Sequence, residues 1–271
     1  MSTERMPIVS VVMPCYNAAR FLREAVESIL SQSFSDLELI VVNDASTDAT
    51  KEILMEYQAK DGRVVYAEHV ANRGVSESLN TGLRLVRGEF VARMDADDIA
   101  EPERLAKQVA LLRRDPEIVV CGTFLTLIDE NGKKIGKRDY DVDSEVIKKR
   151  FMRRSPVAHP SVVIRKQILN AHHLEYRRKY FSAEDYDLWL RLMPYGKFAN
   201  VGEPLLRYRL SSDALTVRRC KTALWSTIRL KWRYLRYADL ASYGNLMLEM
   251  ILMLLPKNGI LFLYRKFHGV Q

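Results

Sequence analysis

Hydrophobic and polar positions along the first 121 residues alternate between two patterns. Short runs of β-branched and other apolar residues are typical of buried strands, and each run precedes a segment whose apolar residues fall on one helical face. Such alternation predicts an α/β fold with a mainly parallel central sheet and helices on both faces. The predicted strands cover residues 8–13, 37–42, 63–68, 89–94 and 118–121, and the predicted helices 17–30, 51–57, 75–86 and 102–113.

Beyond residue 121 the pattern is less regular. A turn is predicted at 129–132, where Asp, Asn and Gly cluster. A helix at 140–153, a strand at 161–164 and a helix at 183–193 follow. No internal repeat or low-complexity linker marks an independent second domain, so 271 residues are expected to form one large domain, alone or with an appendage.

Polar clusters directly follow three of the predicted strands, at residues 14–17, 43–48 and 95–98. In parallel α/β sheets, ligands bind beyond the carboxyl ends of the strands. The three clusters are therefore expected to meet at one edge of the sheet and to form a site there. Asn17 and Asp98 each also suit the N-cap of the helix that follows.

Asp95 and Asp97 stand one residue apart at the end of the fourth strand. Two such carboxylates can bind a hard divalent cation and leave coordination positions for phosphate oxygens. Asp-x-Asp is also common in turns, so the pair alone leaves both interpretations open. Asp44, after the second strand, suits either a helix cap or a hydrogen bond with a nucleotide base or ribose.

Glu184 and Asp185 begin a helix whose apolar stripe includes Trp189. Asp185 lies four residues before Trp189 and is expected to share its inward-facing side. The helix dipole favours an ionised carboxylate in the first turn, and an ionised, inward-pointing carboxylate is what a general base requires. Simple stabilisation of the first turn is the alternative.

The excess of positive over negative charge lies at the end of the chain. The whole protein carries a net charge of +8, whereas residues 204–271 contain 12 Lys or Arg against 3 Asp or Glu. This asymmetry predicts an anionic partner surface near the C-terminus. The three cysteines are far apart and are expected to be reduced thiols of a cytosolic protein. Neither a signal peptide nor a membrane-spanning helix is predicted.

Residues 221–236 form a basic amphipathic helix in the sequence pattern, with Trp225 and Trp232 beside its apolar face. Such a helix suits the interface of an anionic membrane. It could equally pack its apolar stripe onto the core and leave the basic residues in water. The apolar run at 246–255 is too short to span a bilayer and suits a core or interfacial position.

Five segments together resemble the family 2 glycosyltransferases of the GT-A fold, in the order and spacing of that family. The resemblance covers about residues 7–210. The matching segments are 10–17 (SVVMPCYN), 40–48 (IVVNDASTD), 72–74 (NRG) with Asn80 and Gly82, 94–98 (MDADD) and 183–191 (AEDYDLWLR).

The resemblance implies a GT-A domain over residues 1–210, with a nucleotide-binding part at about 7–121 and an acceptor part at about 122–210. Residues 211–271 are then a basic amphipathic helical tail. The implied activity is inverting, metal-dependent transfer of a sugar from a nucleotide diphosphate, UDP above GDP or dTDP, to a hydroxyl acceptor. Mn²⁺ or Mg²⁺ is the implied metal and a lipid-linked or surface-polysaccharide glycan the implied acceptor. The implied location is the cytoplasm, with peripheral contact at the inner face of the membrane and no nucleic acid partner.

The resemblance also assigns roles to individual residues. Asp185 is implied as the catalytic base with Glu184 beside it, and Asp97 as the principal metal ligand with Asp95. His159 resembles a position on the acceptor side. Residues implied to bind the nucleotide are Pro14, Tyr16 next to the base, Asn17, Asp44, Arg73 and Asp95.

The chain departs from the family pattern at two places. Asn43-Asp44 replaces a pair of aspartates, and Ser211 stands where some relatives carry a histidine. Arg207 or Arg209 is therefore expected to contact the diphosphate instead. A nucleotidyltransferase is the nearest alternative, although residues 14–19 lack the glycines of its phosphate loop. A non-catalytic sugar-nucleotide binding module is a further alternative.

Overall fold

The computed structural model describes residues 6–180, 182–210 and 220–256. Three short 3₁₀ helices, at His159–Ser161, Met193–Tyr195 and Leu235–Tyr237, connect its longer elements. The strands are β1 (Val9–Cys15), β2 (Leu37–Asn43), β3 (Val64–Glu68), β4 (Phe90–Arg93), β5 (Ile99–Ala100), β6 (Ile118–Ile128), β7 (Lys134–Arg138), β8 (Val163–Arg165) and β9 (Lys197–Arg209). The helices are α1 (Leu22–Leu30), α2 (Thr50–Lys60), α3 (Val75–Leu85), α4 (Arg104–Arg114), α5 (Ser144–Arg150), α6 (Lys166–Ala171), α7 (Glu184–Leu192), α8 (Cys220–Arg233) and α9 (Leu240–Leu252).

The described strands form a single sheet in the order β3-β2-β1-β4-β8-β6-β9-β5, with β7 paired to β6. The strands β1 to β4 are parallel, as the sequence pattern predicts. β8 runs antiparallel to both β4 and β6 and joins the second half of the chain to the first. The result is a mixed α/β sheet of the GT-A type.

Each central strand is buried on both faces, because helices cover both sides of the sheet. Val11 and Met13 of β1 pack with α1 and α4 in one core, whereas Val12 packs with α3 and α7 in the other. This alternation follows the two-residue period of a strand. It explains why the strands appear in the sequence as continuous apolar runs.

Three local expectations are wrong. β1 does not end before Pro14 but continues to Cys15, because its pairing with β2 extends to Asn43. Asn17 does not cap α1, which begins at Leu22; it has a positive φ of 49°, and its side-chain oxygen accepts a hydrogen bond from the Thr47 amide instead. The helix predicted at 140–153 is confined to α5.

Helix α8 packs beside α7, and α9 is paired to α8 through Glu249 and Lys231. Leu230 of α8 is buried in the core that contains α7, and Tyr234 packs against the same core. Cys15 and Cys121 are free and buried, as expected, whereas the Cys220 side chain lies outside the described part. Among the described residues, no helix has the length and apolar character needed to cross a membrane.

Gly82 permits the close approach of α3 to β1. A Cβ atom at this position would lie 2.3 Å from Cγ1 of Val12. We predict that Gly82→Ala lowers the free energy of unfolding by about 1 kcal/mol or more, because overpacking outweighs the gain in helix propensity. Urea denaturation measures the change. Gly62→Ala is the matched control, since nothing lies within 4 Å of its added methyl group; an equal loss in both variants would contradict the steric explanation.

Candidate active site

The loops after β1 and β2 are joined by hydrogen bonds at the predicted edge of the sheet. The Asp44 amide donates to the Cys15 carbonyl at 2.8 Å, and the Thr47 amide donates to Asn17 Oδ1 at 2.8 Å. Tyr16 lies on the first of these loops, between Cys15 and Asn17, and is 53% exposed. The structure thus places an accessible aromatic ring on a fixed loop at the carboxyl ends of the parallel strands.

The Asp44 carboxylate positions the turn that carries Arg73. One of its oxygens accepts from His69 Nδ1 at 2.7 Å and from the Arg73 amide at 2.8 Å, and the other accepts from the Gly74 amide at 2.7 Å. Asp44 is buried, whereas Arg73 is exposed. A direct contact between Asp44 and a base stays a prediction. In the structure, the Asp44 carboxylate holds the backbone of the turn that carries Arg73.

Asp95, Asp97 and Asp98 form a cluster whose ligand oxygens lie within 4.8 Å of one another, and this cluster could hold a metal ion. Burial and the negative charge of Asp95 raise the pKa of Asp97 to about 6. Burial, together with Asp97 and Asp95, raises the pKa of Asp98 well above its usual value. Desolvation and repulsion between neighbouring carboxylates therefore both oppose full ionisation of Asp97 and Asp98.

Asp98 differs from its expected role as a helix cap. It is buried, and α4 begins only at Arg104. One carboxylate oxygen of Asp98 accepts from the Arg209 amide at 2.9 Å, while the other has no partner among the described residues. The side chain thus joins the carboxylate cluster rather than the helix.

Arg93, the last residue of β4, lies at the centre of the site. Its buried guanidinium donates to both oxygens of Asp95, at 2.7 Å through Nη1 and through Nη2 as well. The same positive charge partly opposes the rise that burial causes in the pKa of Asp97, Asp98, Glu184 and Asp185, and it adds to the effect of burial against protonation of His159. The structure therefore brings the two acidic motifs, which lie about 90 residues apart, around one cation.

Glu184 and Asp185 are half-buried in the first turn of α7. Burial and the neighbouring Asp185 raise the pKa of Glu184 to about 7. Burial also raises the pKa of Asp185, against the opposing effects of the Tyr186 amide and Arg93. The helix dipole alone would favour the ionised form, so desolvation is the dominant influence on both groups.

His159 and Tyr176 complete this side of the site. His159 Nε2 lies 2.9 Å from the Tyr176 hydroxyl, and burial holds the pKa of His159 well below its usual value, so the imidazole is neutral. Asn80 fixes the backbone of Tyr176, accepting from its amide at 2.8 Å and donating to its carbonyl at 2.9 Å. Asn80, part of a segment that resembles the family, therefore anchors the loop before α7.

The expected contact of Arg209 with a diphosphate is not supported by its position. Arg209 is buried, and its guanidinium donates to the carbonyls of Asp97, Asp129 and Glu130 and to the Glu24 carboxylate. All three guanidinium nitrogens donate hydrogen bonds, so the Arg209 side chain anchors the loop at residues 95–98. Arg207 is half-exposed and pairs with Glu101 at 2.7 Å. Ser211 lies outside the described residues.

Sequence reasoning missed Arg93, Tyr176 and His69. A signal for Arg93 existed, because a lone arginine ends an otherwise apolar buried strand and must find a counter-charge. His69 directly follows β3 and shares the sheet edge with the predicted clusters. No signal marked Tyr176, whose position depends on the contact with Asn80.

The fold and this carboxylate-lined edge define a glycosyltransferase of the GT-A class. Residues 10–173, more than half of the chain, match the model of Glycosyl transferase family 2, and the chain belongs to this family. The O-antigen biosynthesis glycosyltransferase WbnJ of Escherichia coli is 33% identical over 223 residues, 79% of this chain and 84% of that protein. The amylovoran biosynthesis glycosyltransferase AmsE of Erwinia amylovora is 30% identical over 268 residues, 95% of this chain and 98% of that protein.

Solved structures show the same fold. The crystal structure of S. aureus TarS 1-349 in complex with UDP has a TM-score of 0.67 at 21% identity and covers 88% of this chain and 68% of that one. The mannosyltransferase PcManGT from Pyrobaculum calidifontis in complex with GDP-Man and Mn²⁺ has a TM-score of 0.67 at 18% identity, covering 95% and 73%.

Replacement of Arg93 should change the pH dependence of the enzyme. Loss of its charge in Arg93→Met raises the pKa of Asp185 and Glu184, so these groups take up protons at higher pH. We expect the acid limb of the kcat/KM profile for sugar transfer to move toward higher pH. Arg93→Lys keeps the charge and should keep the limb near that of the wild type. An unmoved limb in folded Arg93→Met would contradict the electrostatic role.

Proposed function

We propose that this protein is an inverting, metal-dependent glycosyltransferase that moves a sugar from a UDP-linked donor to a hydroxyl acceptor. The proposal rests mainly on one observation, the meeting of the Asp95–Asp97–Asp98 cluster with Glu184 and Asp185 around Arg93. A single-displacement transfer requires a place for the leaving diphosphate and, opposite it, a base for the acceptor hydroxyl. The two acidic groups match these two requirements.

The carboxylates after β4 suit a divalent cation. Carboxylate oxygens are the preferred ligands of Mg²⁺ and also suit Mn²⁺. The clustering of three carboxylates and the unpartnered oxygen of Asp98 support a place for a cation. Asp97 would be the principal ligand and Asp95 a second one. When bound, the ion would neutralise negative charge on the departing diphosphate. Mn²⁺ in the PcManGT structure is consistent with this assignment.

Asp185 is the proposed catalytic base. It lies in the first turn of α7, partly accessible, with its pKa raised by burial. A raised pKa makes the ionised carboxylate a stronger proton acceptor, provided that the pH keeps it ionised. Asp185 would accept the proton of the acceptor hydroxyl as that oxygen attacks the anomeric carbon, with inversion of configuration. Glu184 would orient acceptor or sugar beside it, and His159, neutral, would contribute on the acceptor side.

The nucleotide is proposed to bind at the loops after β1 and β2. Tyr16 is exposed and can stack on the base; Asn17 lies on the same loop, and Pro14 lies at the end of β1 just before it. Arg73 has no side-chain partner within the described ranges, so its guanidinium is available to the donor. The UDP complex of TarS supports a uridine nucleotide, whereas the GDP-Man complex of PcManGT keeps guanosine open.

The acceptor is proposed to be a growing surface polysaccharide carried on a lipid. WbnJ and AmsE are named for O-antigen and amylovoran biosynthesis, which supports a polysaccharide acceptor. The basic tail supports peripheral contact with the cytoplasmic face of a membrane, since residues 204–271 carry all of the excess positive charge. We propose no nucleic acid partner for the basic tail.

Donor binding should depend on Asp97. We expect one nucleotide sugar among UDP-, GDP- and dTDP-sugars to raise the melting temperature of the full chain in the presence of Mn²⁺. At a ligand concentration a hundredfold above Kd, binding to the folded state alone stabilises it by about 2.7 kcal/mol. Asp97→Ala should lose this shift. Asp139→Ala, which removes an exposed aspartate paired with Lys137, is the control and should keep it. A metal-dependent shift that survives in Asp97→Ala would refute the ligand assignment.

Asp185→Asn should abolish transfer and leave donor binding largely intact. Removal of a general base costs about 10²–10⁴-fold in kcat, and donor affinity reported by thermal shift should stay near that of the wild type. Asp187→Asn makes the same change two residues later and breaks a buried pair with Arg191 at 2.7 Å. This control should lower stability while its folded fraction still transfers sugar. Turnover near the wild-type rate in Asp185→Asn would disprove the base assignment.

A further inference from the structure

Helix α9 packs with its polar face toward the protein. Asn245 donates to the Arg153 carbonyl at 3.2 Å, and Glu249 accepts from the buried Lys231 and from Asn245 at 2.9 Å. Ser242 is buried beside them, and Leu246 is the buried apolar residue of this face. An amphipathic helix of a soluble domain ordinarily buries its apolar stripe. In α9 the arrangement is reversed.

The opposite face of α9 is apolar and exposed. Its residues recur at intervals of three and four, so they form one stripe along the helix. Met247 and Ile251, near its middle, are 58% and 56% exposed. The exposed large apolar residues of this stripe and its edges are Leu240, Tyr243, Met247, Leu248, Met250, Ile251 and Leu254.

Helix α8, which is paired to α9 through Lys231 and Glu249, carries exposed basic and aromatic side chains. Lys221, Arg229 and Arg233 are exposed and have no ion-pair partner within the described part of the chain. Trp225 and Trp232 are 52% and 64% exposed. The acidic residues of this region, by contrast, are engaged: Asp239 pairs with Arg153, and Glu249 with Lys231. Helix α9 thus presents an exposed apolar stripe, and the helix paired to it presents indole rings and uncompensated positive charge.

We propose that the exposed face of α9 inserts into the interface of an anionic lipid bilayer, with the basic residues of α8 on the headgroups. Apolar side chains with neighbouring tryptophans and cations are what an interfacial helix presents. Charge favours lipid over a second copy of the chain, because a copy would bring its own positive surface into contact. Thirteen residues span about 20 Å, which is shorter than the roughly 30 Å hydrocarbon core, so the helix lies along the surface.

The protein-facing side of α9 lies near the start of α7, which carries the proposed catalytic base. Burial and, to a smaller extent, the nearby charge of Glu249 raise the pKa of the Tyr186 phenol, and Tyr186 directly follows Asp185. Tyr186 also donates to the Phe151 carbonyl at 2.8 Å, near the Arg153 carbonyl that Lys231 and Asn245 contact. An enzyme bound through α9 therefore holds the start of α7 near the lipid surface. This supports a lipid-linked acceptor, a conclusion that rests on the proposed function.

Vesicle binding of the full chain tests the proposal. The probes are vesicles of phosphatidylcholine alone and vesicles that also contain phosphatidylglycerol, with binding measured by co-sedimentation and by tryptophan fluorescence. Trp189 is buried, so a blue shift on binding reports on Trp225 and Trp232. We expect binding to the anionic vesicles that weakens as salt increases. The double variant Met247→Glu/Ile251→Glu should reduce the partition coefficient at least about tenfold, because two charges must leave water.

The matched control is Met55→Glu on α2, where the wild-type side chain is 51% exposed and outside the apolar stripe. It should bind vesicles as the wild type does. Equal binding of the double variant, equal binding to neutral vesicles, or no binding at all would overturn the proposal. A vesicle-free dimer that the double variant dissociates, measured by analytical ultracentrifugation, would assign the face to a second copy and also overturn it. Vesicle binding and metal-dependent donor binding are measured separately, so failure of the membrane proposal can be distinguished from failure of the proposed function.

Discussion

The ion pair between Arg93 and Asp95 is the interaction on which the catalytic edge depends. Five carboxylates gather there, and partly buried like charges oppose one another's ionisation. Arg93 opposes this effect from the end of β4, where its position is fixed on both sides. Its amide donates to the Val162 carbonyl at 2.9 Å, and the buried Arg104 donates to its carbonyl at 2.6 Å. The cation is therefore held by the sheet and by a helix rather than by a loop.

The sheet topology explains how distant motifs reach this cation. β8 adds antiparallel to β4, which places the 3₁₀ turn with His159 next to Arg93. The chain then passes through Tyr176, which Asn80 of α3 holds by two hydrogen bonds, before α7 begins. Residues of the first 121 positions thus fix the later part of the chain at two points. Both points lie near residues that the family motifs contain, which gives Asn80 a positional role rather than a chemical one.

The sequence predicted the elements and the edge where the site lies, because strand period, helix period and strand-end polarity are local properties. It did not predict which polar residues form hydrogen bonds or ion pairs with one another. Arg209 engages Glu24, 185 positions away, and Asn17 engages Thr47, so neither role is visible in local pattern. Asp98 suited a helix cap by spacing alone, but β9 brings the Arg209 amide to its carboxylate. Long-range hydrogen bonding decided these three cases.

The orientation of α9 follows the same rule. Its sequence is strongly apolar, and burial of that stripe was one of two expectations. Lys231 is buried, however, and a buried ammonium requires a partner. Glu249 is the acidic residue of α9, so pairing it with Lys231 turns the apolar stripe outward. One ion pair therefore determines both the exposed apolar face and the approach of Glu249 to Tyr186. A buried charge thus requires a partner both at the proposed catalytic edge and at α9, and in α9 this requirement determines which face is exposed.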